Sequence, residues 1–226
     1  RKDAAGNATG EKVLAIAGTD PESGADLITD LIGIGVLGTV AGLAQYQDLE
    51  AFYSHLNANG KIGASEQVVV TGHSLGGFLT QAFTVRNPQA VSAAYTYNAP
   101  GFGDLDAMLR FVGGVGGNGQ SKITNVVATD GPVFTAAQGT YKLGTTVRVR
   151  IEAPPPTAPQ DSHSVMVLSD ALAMQATYAE LQPGLDAART GALFAANGAG
   201  DRRLENALDS LRTVFIGSAS NDANKT

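Results

Sequence analysis

Residues 68–83, VVVTGHSLGGFLTQAF, pass from three valines to a serine set among glycines and then straight into an apolar-periodic segment. The valines read as a buried strand, because β-branched side chains suit a pleated surface and an unbroken apolar run fits a strand covered on both faces. Leu75, Phe78, Leu79, Ala82 and Phe83 then fall at i, i+3, i+4, i+7 and i+8, which predicts an amphipathic helix. A strand that turns into a helix within a few residues is one half of a β-α-β unit. If its neighbours repeat that grammar, the chain is an α/β protein with a mainly parallel sheet.

The neighbours do repeat it. EKVLAIAG (11–18) is a short apolar run ending at a glycine, and QDLEAFYSHLNANG (47–60) sets Leu49, Phe52, Tyr53 and Leu56 at helical spacing with Asn59-Gly60 as its stop. VSAAYTYNAPG (91–101) and KITNVVATDGP (122–132) each read as strand then turn. YKLGTTVRVRIEA (141–153) reads as two short strand-like runs broken by Gly144, and APPPTAP as a stiff extended loop. Helix is expected again from Ser164, interrupted at Pro183-Gly184, with a last helix from Asp201 that carries Leu204, Leu208, Leu211 and Phe215 on one face up to Gly217. No internal repeat is present. The expectation is one domain over residues 1–226, with an apolar insertion at about 20–45, C-terminal helices at about 164–217 and a loose tail at 218–226.

Composition narrows the function classes. The 226 residues are long enough to bury a full core, and 43% hydrophobic content describes a water-soluble globule. A net charge of −6 with no basic run argues against nucleic acid. The absence of cysteine excludes disulfides, thiolate metal sites and cysteine nucleophiles. RKDAAGNATGEK (1–12) has no apolar core and does not read as a signal peptide, but as a processed boundary. LIGIGVLGTVAGLA (31–44) carries no charge, yet it is shorter than the roughly 20 residues of a membrane span, so a buried or interfacial role is expected rather than an integral one.

The serine is the chemical focus. Gly72-His73-Ser74-Leu75-Gly76 matches G-x-S-x-G, the turn that holds a nucleophilic serine between a strand and a helix, with glycines where side chains would collide. The plain alternative is a small-residue turn in which the serine is incidental. A serine hydroxyl needs a base. Of the three histidines, His55 reads as helix surface, and His73 adjoins the serine along the backbone and cannot readily face it. His163, in TAPQDSHSVMVL (157–168), follows the serine with room for an acid between them, the order Ser, acid, His that this turn calls for. Asp130, just past the strand-like ITNVVAT, is the favoured acid; Asp104 and Asp106 are its rivals, and Asp161 stands too close to His163 in sequence. The amide of Leu75 and one from Gly18-Thr19-Asp20 are the expected oxyanion donors. Asp20, Glu22, Asp26 and Asp30 suggest calcium but read as scattered surface acids, so no metal and no cofactor is expected.

AIAGTD (15–20), VTGHSLGG (70–77), YTYNAPGFG (95–103), ITNVVATDGPV (123–133) and SHSV (162–165), in this order, resemble the class 3 lipases, which are α/β-hydrolases acting on acylglycerols. The resemblance spans about two-thirds of the chain. It implies Ser74 as nucleophile, Asp130 as orienting acid, His163 as base and Thr19 as the second oxyanion residue. It also implies a lid over an acyl pocket, at ADLITDLIGIGVLGTVAGLAQY (25–46), with lipid-interface contact through about residues 27–45. That segment is richer in glycine than the family's lids, and little family sequence precedes the first strand, so edge strands are expected to be missing or the chain to be cut from a larger protein. Secretion accords with the resemblance. Three functions follow: a lipid-ester hydrolase (triacylglycerol lipase or phospholipase A), an esterase, polyester depolymerase or thioesterase with the same triad, or a non-catalytic module that binds lipid or protein.

Overall fold

The structure, a computed structural model, describes residues 6–7, 9–18, 40–103, 108–109, 118–129, 141–151 and 162–181, with the backbone alone for 40–43. Among these residues five strands and three helices form: β1 (Val13–Ile16), α1 (Val40–Ala58), β2 (Val68–His73), α2 (Leu75–Arg86), β3 (Val91–Tyr97), β4 (Ile123–Ala128), β5 (Thr145–Val149) and α3 (Val165–Leu181). The strands lie side by side in chain order. β1–β2, β2–β3 and β3–β4 pair in parallel, with Ile16 beside Gly72, His73 beside Tyr97 and Tyr97 beside Val126. β5 extends the sheet in the same sense: the Asn125 side chain reaches the Leu143 and Thr145 carbonyls, and the Thr129 N–H donates to Val149 O at 2.9 Å. The α/β fold and its parallel sheet follow the pattern read from the sequence.

The chain falls into two compact units, Arg1–Val127 with Val133–Arg148, and Ala128–Pro132 with Val149–Thr226. The first holds a core in which Leu14, Val68, Val70, Leu75, Phe78 and Phe83 are buried together with Val91, Ala94 and Ile123. α1 adds Tyr46 and Leu49, one helical turn apart, and Tyr53 meets the Phe83 ring edge-on at 5.1 Å. α1 stops where expected: the Lys61 N–H returns to Leu56 O at 2.9 Å and the Asn59 side chain donates to His55 O at 2.8 Å. It starts at Val40, inside the apolar stretch read as an insertion, so the last residues of that stretch are helix. In the second unit, Ser164 Oγ accepts the Met166 N–H at 3.2 Å and caps the start of α3, on which Leu168, Ala171 and Met174 form a buried stripe.

Three local expectations need correction. α2 is not amphipathic, because every residue from Leu75 to Val85 is buried. It packs against β1, β2, β3 and α1 at once, and its polar residues turn inward instead of facing water: Thr80 and Thr84 bond back to the Gly76 and Thr80 carbonyls. Phe52, expected on the buried face of α1, is 53% exposed. Residues 141–149 are not two strands. Tyr141 makes an isolated antiparallel pair with Phe102, and only the segment after Gly144 joins the sheet. The last predicted helix (201–217), the insertion before residue 40 and the tail lie outside the described residues.

Candidate functional site

Ser74 occupies the single residue between β2 and α2, with φ 55° and ψ −125°. A non-glycine residue with positive φ in that region is strained, and such strain persists only where the surroundings over-determine it. They do so here. The Ser74 N–H donates to Tyr97 O at 3.0 Å, tying the turn to the end of β3, while its carbonyl accepts from Gly77 N–H at 3.0 Å and Phe78 N–H at 3.1 Å to start the helix. A serine that merely began a helix would use its hydroxyl to cap the first turn. This one makes no capping bond.

The surrounding glycines follow from distances of approach. A Cβ on Gly76 would lie 2.2 Å from Ile16 O, one on Gly72 would lie 2.3 Å from Gly76 O, and one on Gly77 would lie 2.5 Å from Ala99 Cβ. β1 therefore crosses directly against the first turn of α2. Gly18, at the end of β1, completes the contact: its missing Cβ would sit 2.7 Å from His73 O, 3.5 Å from Ser74 Cβ and 3.6 Å from Gly76 N. The sequence marked Gly18 as the stop of a strand and the first residue of the segment expected to give the second oxyanion amide. The fold makes it a wall of the serine's turn. Thr19, the next residue, lies outside the described residues.

Leu75 and Gly76 carry the first two amides of α2, which helix geometry leaves without intrahelical acceptors, and the helix end adds a partial positive charge. On the other side of Ser74, Tyr97 and Asn98 close the end of β3. Asn98 is fully buried at φ 45°, and its N–H donates to Val126 O at 2.9 Å. Burial raises the Tyr97 phenol's pKa, helped by Tyr95, with a Thr71 hydrogen bond opposing the shift. A cleft of about 310 Å³ is lined by Leu14, Ile16 and Gly18 on the β1 side, by Gln45, Asp48, Leu49 and Phe52 of α1, and by Leu79 of α2.

His163 is half-buried in a short turn immediately before α3, beside the fully buried Ser162. It belongs to the second unit and Ser74 to the first. Asp130, its rivals Asp104 and Asp106, and Asp161 lie outside the described residues, as do Asp20, Glu22, Asp26 and Asp30. Thus Ser74, Leu75 and the residue preceding Thr19 are brought together within one unit. His55 is exposed on α1, as expected. Among the described residues no cluster of His, Asp or Glu is built to hold a metal ion, and no helix is long and apolar enough to cross a membrane. Reading the sequence did not single out Gln81 and Asn125, two buried carboxamides behind the turn. No protein-family model matches the chain, and no curated protein matches it at a significant level.

Proposed function

We propose that the protein is a serine carboxylic-ester hydrolase with the α/β-hydrolase arrangement, resembling the class 3 lipases and acting on esters with an apolar arm. The observation that carries the reading is the conformation of Ser74: a strained residue at the strand–helix turn whose hydroxyl does not cap the helix it begins. In this reading His163 takes the Ser74 proton as Oγ attacks the ester carbonyl. Asp130 orients the imidazole and stabilises its positive form. The Leu75 amide, at the helix N-terminus, and the Thr19 amide, next to Gly18, receive the oxyanion. His163 then gives its proton to the departing alcohol. Water, deprotonated by the same base, attacks the acyl-serine, and collapse of that second adduct frees the acid and restores Ser74.

Two further features support it. In a parallel sheet all strands end at one edge, so the segments leaving β2 and β4 set out from the same side, where α/β proteins gather their sites. The cleft that Gly18 helps to line also carries Leu14, Ile16, Leu49, Phe52 and Leu79, apolar side chains that suit a hydrocarbon.

A fluorophosphonate probe tests the chemistry. Labelling of the wild type and none of Ser74→Ala is the expected result; an unlabelled wild type would leave a non-catalytic binding module. Emulsified triglyceride, a phospholipid and chromogenic esters of rising chain length then separate the substrate classes. A rise in rate above the solubility limit marks a lipase, and a preference for short soluble esters marks an esterase.

A further inference from the structure

We infer that Gln81 and Asn125 are positioning residues, two buried carboxamides that grip opposite sides of Leu143 and so register the strand leading to the acid against the helix that starts at the nucleophile. The inference rests on the roles proposed above for Ser74 and Asp130. Gln81 lies two turns into α2 from Ser74, and Asn125 lies on β4, five residues before Asp130.

The bonds form one continuous circuit. Gln81 Nε2 donates to Pro100 O at 2.9 Å, and its Oε1 accepts the Leu143 N–H at 3.4 Å. On the other side of that residue, Asn125 Nδ2 donates to Leu143 O at 2.6 Å and reaches Thr145 O at 3.4 Å, while Asn125 Oδ1 accepts from Thr96 Oγ1 at 2.8 Å. α2, the loop after β3, the approach to β5, β4 and β3 are thus joined through two side chains. Gln81, Thr96 and Leu143 are 0% exposed and Asn125 is 2% exposed, so water cannot replace a lost partner. If filling space were the only need, apolar residues of equal volume would serve as well, without directional demands. With amides, a shift of β4 or β5 against α2 orphans several groups together.

The same circuit backs the serine's turn. Pro100 belongs to the loop that follows Tyr97, whose carbonyl holds the Ser74 N–H. Ala99 of that loop leaves no room for a side chain at Gly77, and its carbonyl accepts from Lys142 Nζ at 3.1 Å. Phe102 exchanges two backbone bonds, 2.8 and 3.0 Å, with Tyr141. The loop is clamped between the first turn of α2 and the segment entering β5, and Gln81 bonds to both clamped pieces.

Gln81→Met and Asn125→Leu test this against Val85→Ala, a void placed one turn further along α2 and outside the circuit. Each is measured well below its own unfolding midpoint. Two readouts are taken: hydrogen-exchange protection of the Ser74 and Asn98 amides, and the rate of fluorophosphonate labelling with kcat and KM on a soluble ester. Because small misplacements of reacting groups are costly, the circuit variants should lose about tenfold or more in both protection and labelling, with kcat falling and KM near wild type. Val85→Ala, even if it melts lower, should keep both within about threefold. Should Asn125→Leu fail to fold, Thr96→Val, which removes one bond at the end of the circuit, should show the same split at smaller size. Equal losses in circuit and control variants would overturn the inference. A wild type that the probe does not label would count against the hydrolase reading, and the exchange comparison would still decide the circuit.

Discussion

Replacing Ser74 by glycine and by alanine separates the strain in the turn from the hydroxyl it presents. At φ 55° and ψ −125° a residue with a Cβ carries a cost of about 1–3 kcal/mol. Alanine keeps the Cβ and the strain and loses only the hydroxyl, which makes no capping bond, so Ser74→Ala should unfold within about 0.5 kcal/mol of wild type. Glycine removes the strain but frees the unfolded chain, which opposes folding by roughly 0.5–1 kcal/mol. At the middle of these two ranges the difference leaves Ser74→Gly more stable than Ser74→Ala by about 1 kcal/mol. At about 2–4 °C per kcal/mol for a chain of this size, its thermal midpoint should stand roughly 2–4 °C higher. Calorimetry and urea unfolding at constant m-value measure the gap, and phosphonate labelling confirms that neither variant reacts. A glycine variant no more stable than the alanine variant would refute the claim that the turn is strained, and with it the main support for the serine's role.

Other outcomes follow from the same contacts. Gly76→Ala drives a methyl to 2.2 Å from Ile16 O, a backbone atom that cannot swing aside, and should cost about 3 kcal/mol or more in urea unfolding. Gly77→Ala meets a side chain instead, Ala99 Cβ at 2.5 Å, so adding Ala99→Gly should recover part of the loss; strict additivity of the two would contradict that contact. Burial and the Arg148 charge hold the Lys142 pKa below its usual 10.5. Between that lowered value and 10.5 the unfolded chain binds more protons than the folded one, so stability rises with pH through this window. Urea midpoints from about pH 7 to about pH 10 should therefore climb more in wild type than in Lys142→Met. Asp130→Asn should lower turnover by about 10⁴-fold with the fold intact, whereas His55→Ala should change it little; equal mild losses would place the acid elsewhere.

Read alone, residues 68–83 determined the strand, the turn at Ser74 and the helix after it, because β-branching, helical spacing and glycine placement act between near neighbours. The same local logic marked β1, β3 and β4, the stop of α1 at Asn59-Gly60 and the start of α3 near Ser164. It placed glycines where side chains would collide across the turn, as one at Gly72 would with Gly76, but it could not name the distant atoms that exclude a side chain at Gly76 and Gly77. The atoms that forbid a side chain there belong partly to Ile16 and Ala99, which only tertiary packing brings close. Nor could it see that α2 is buried all round, since Thr80, Gln81 and Thr84 read as a wet face until the sheet, α1 and the loop after β3 enclose them. Phe52 was misplaced for the converse reason: its spacing promised burial, but burial requires a partner surface. The circuit through Gln81, Leu143 and Asn125 joins residues up to 62 positions apart. Periodicity encodes what a segment does with itself; which segments meet is decided by the packed chain as a whole.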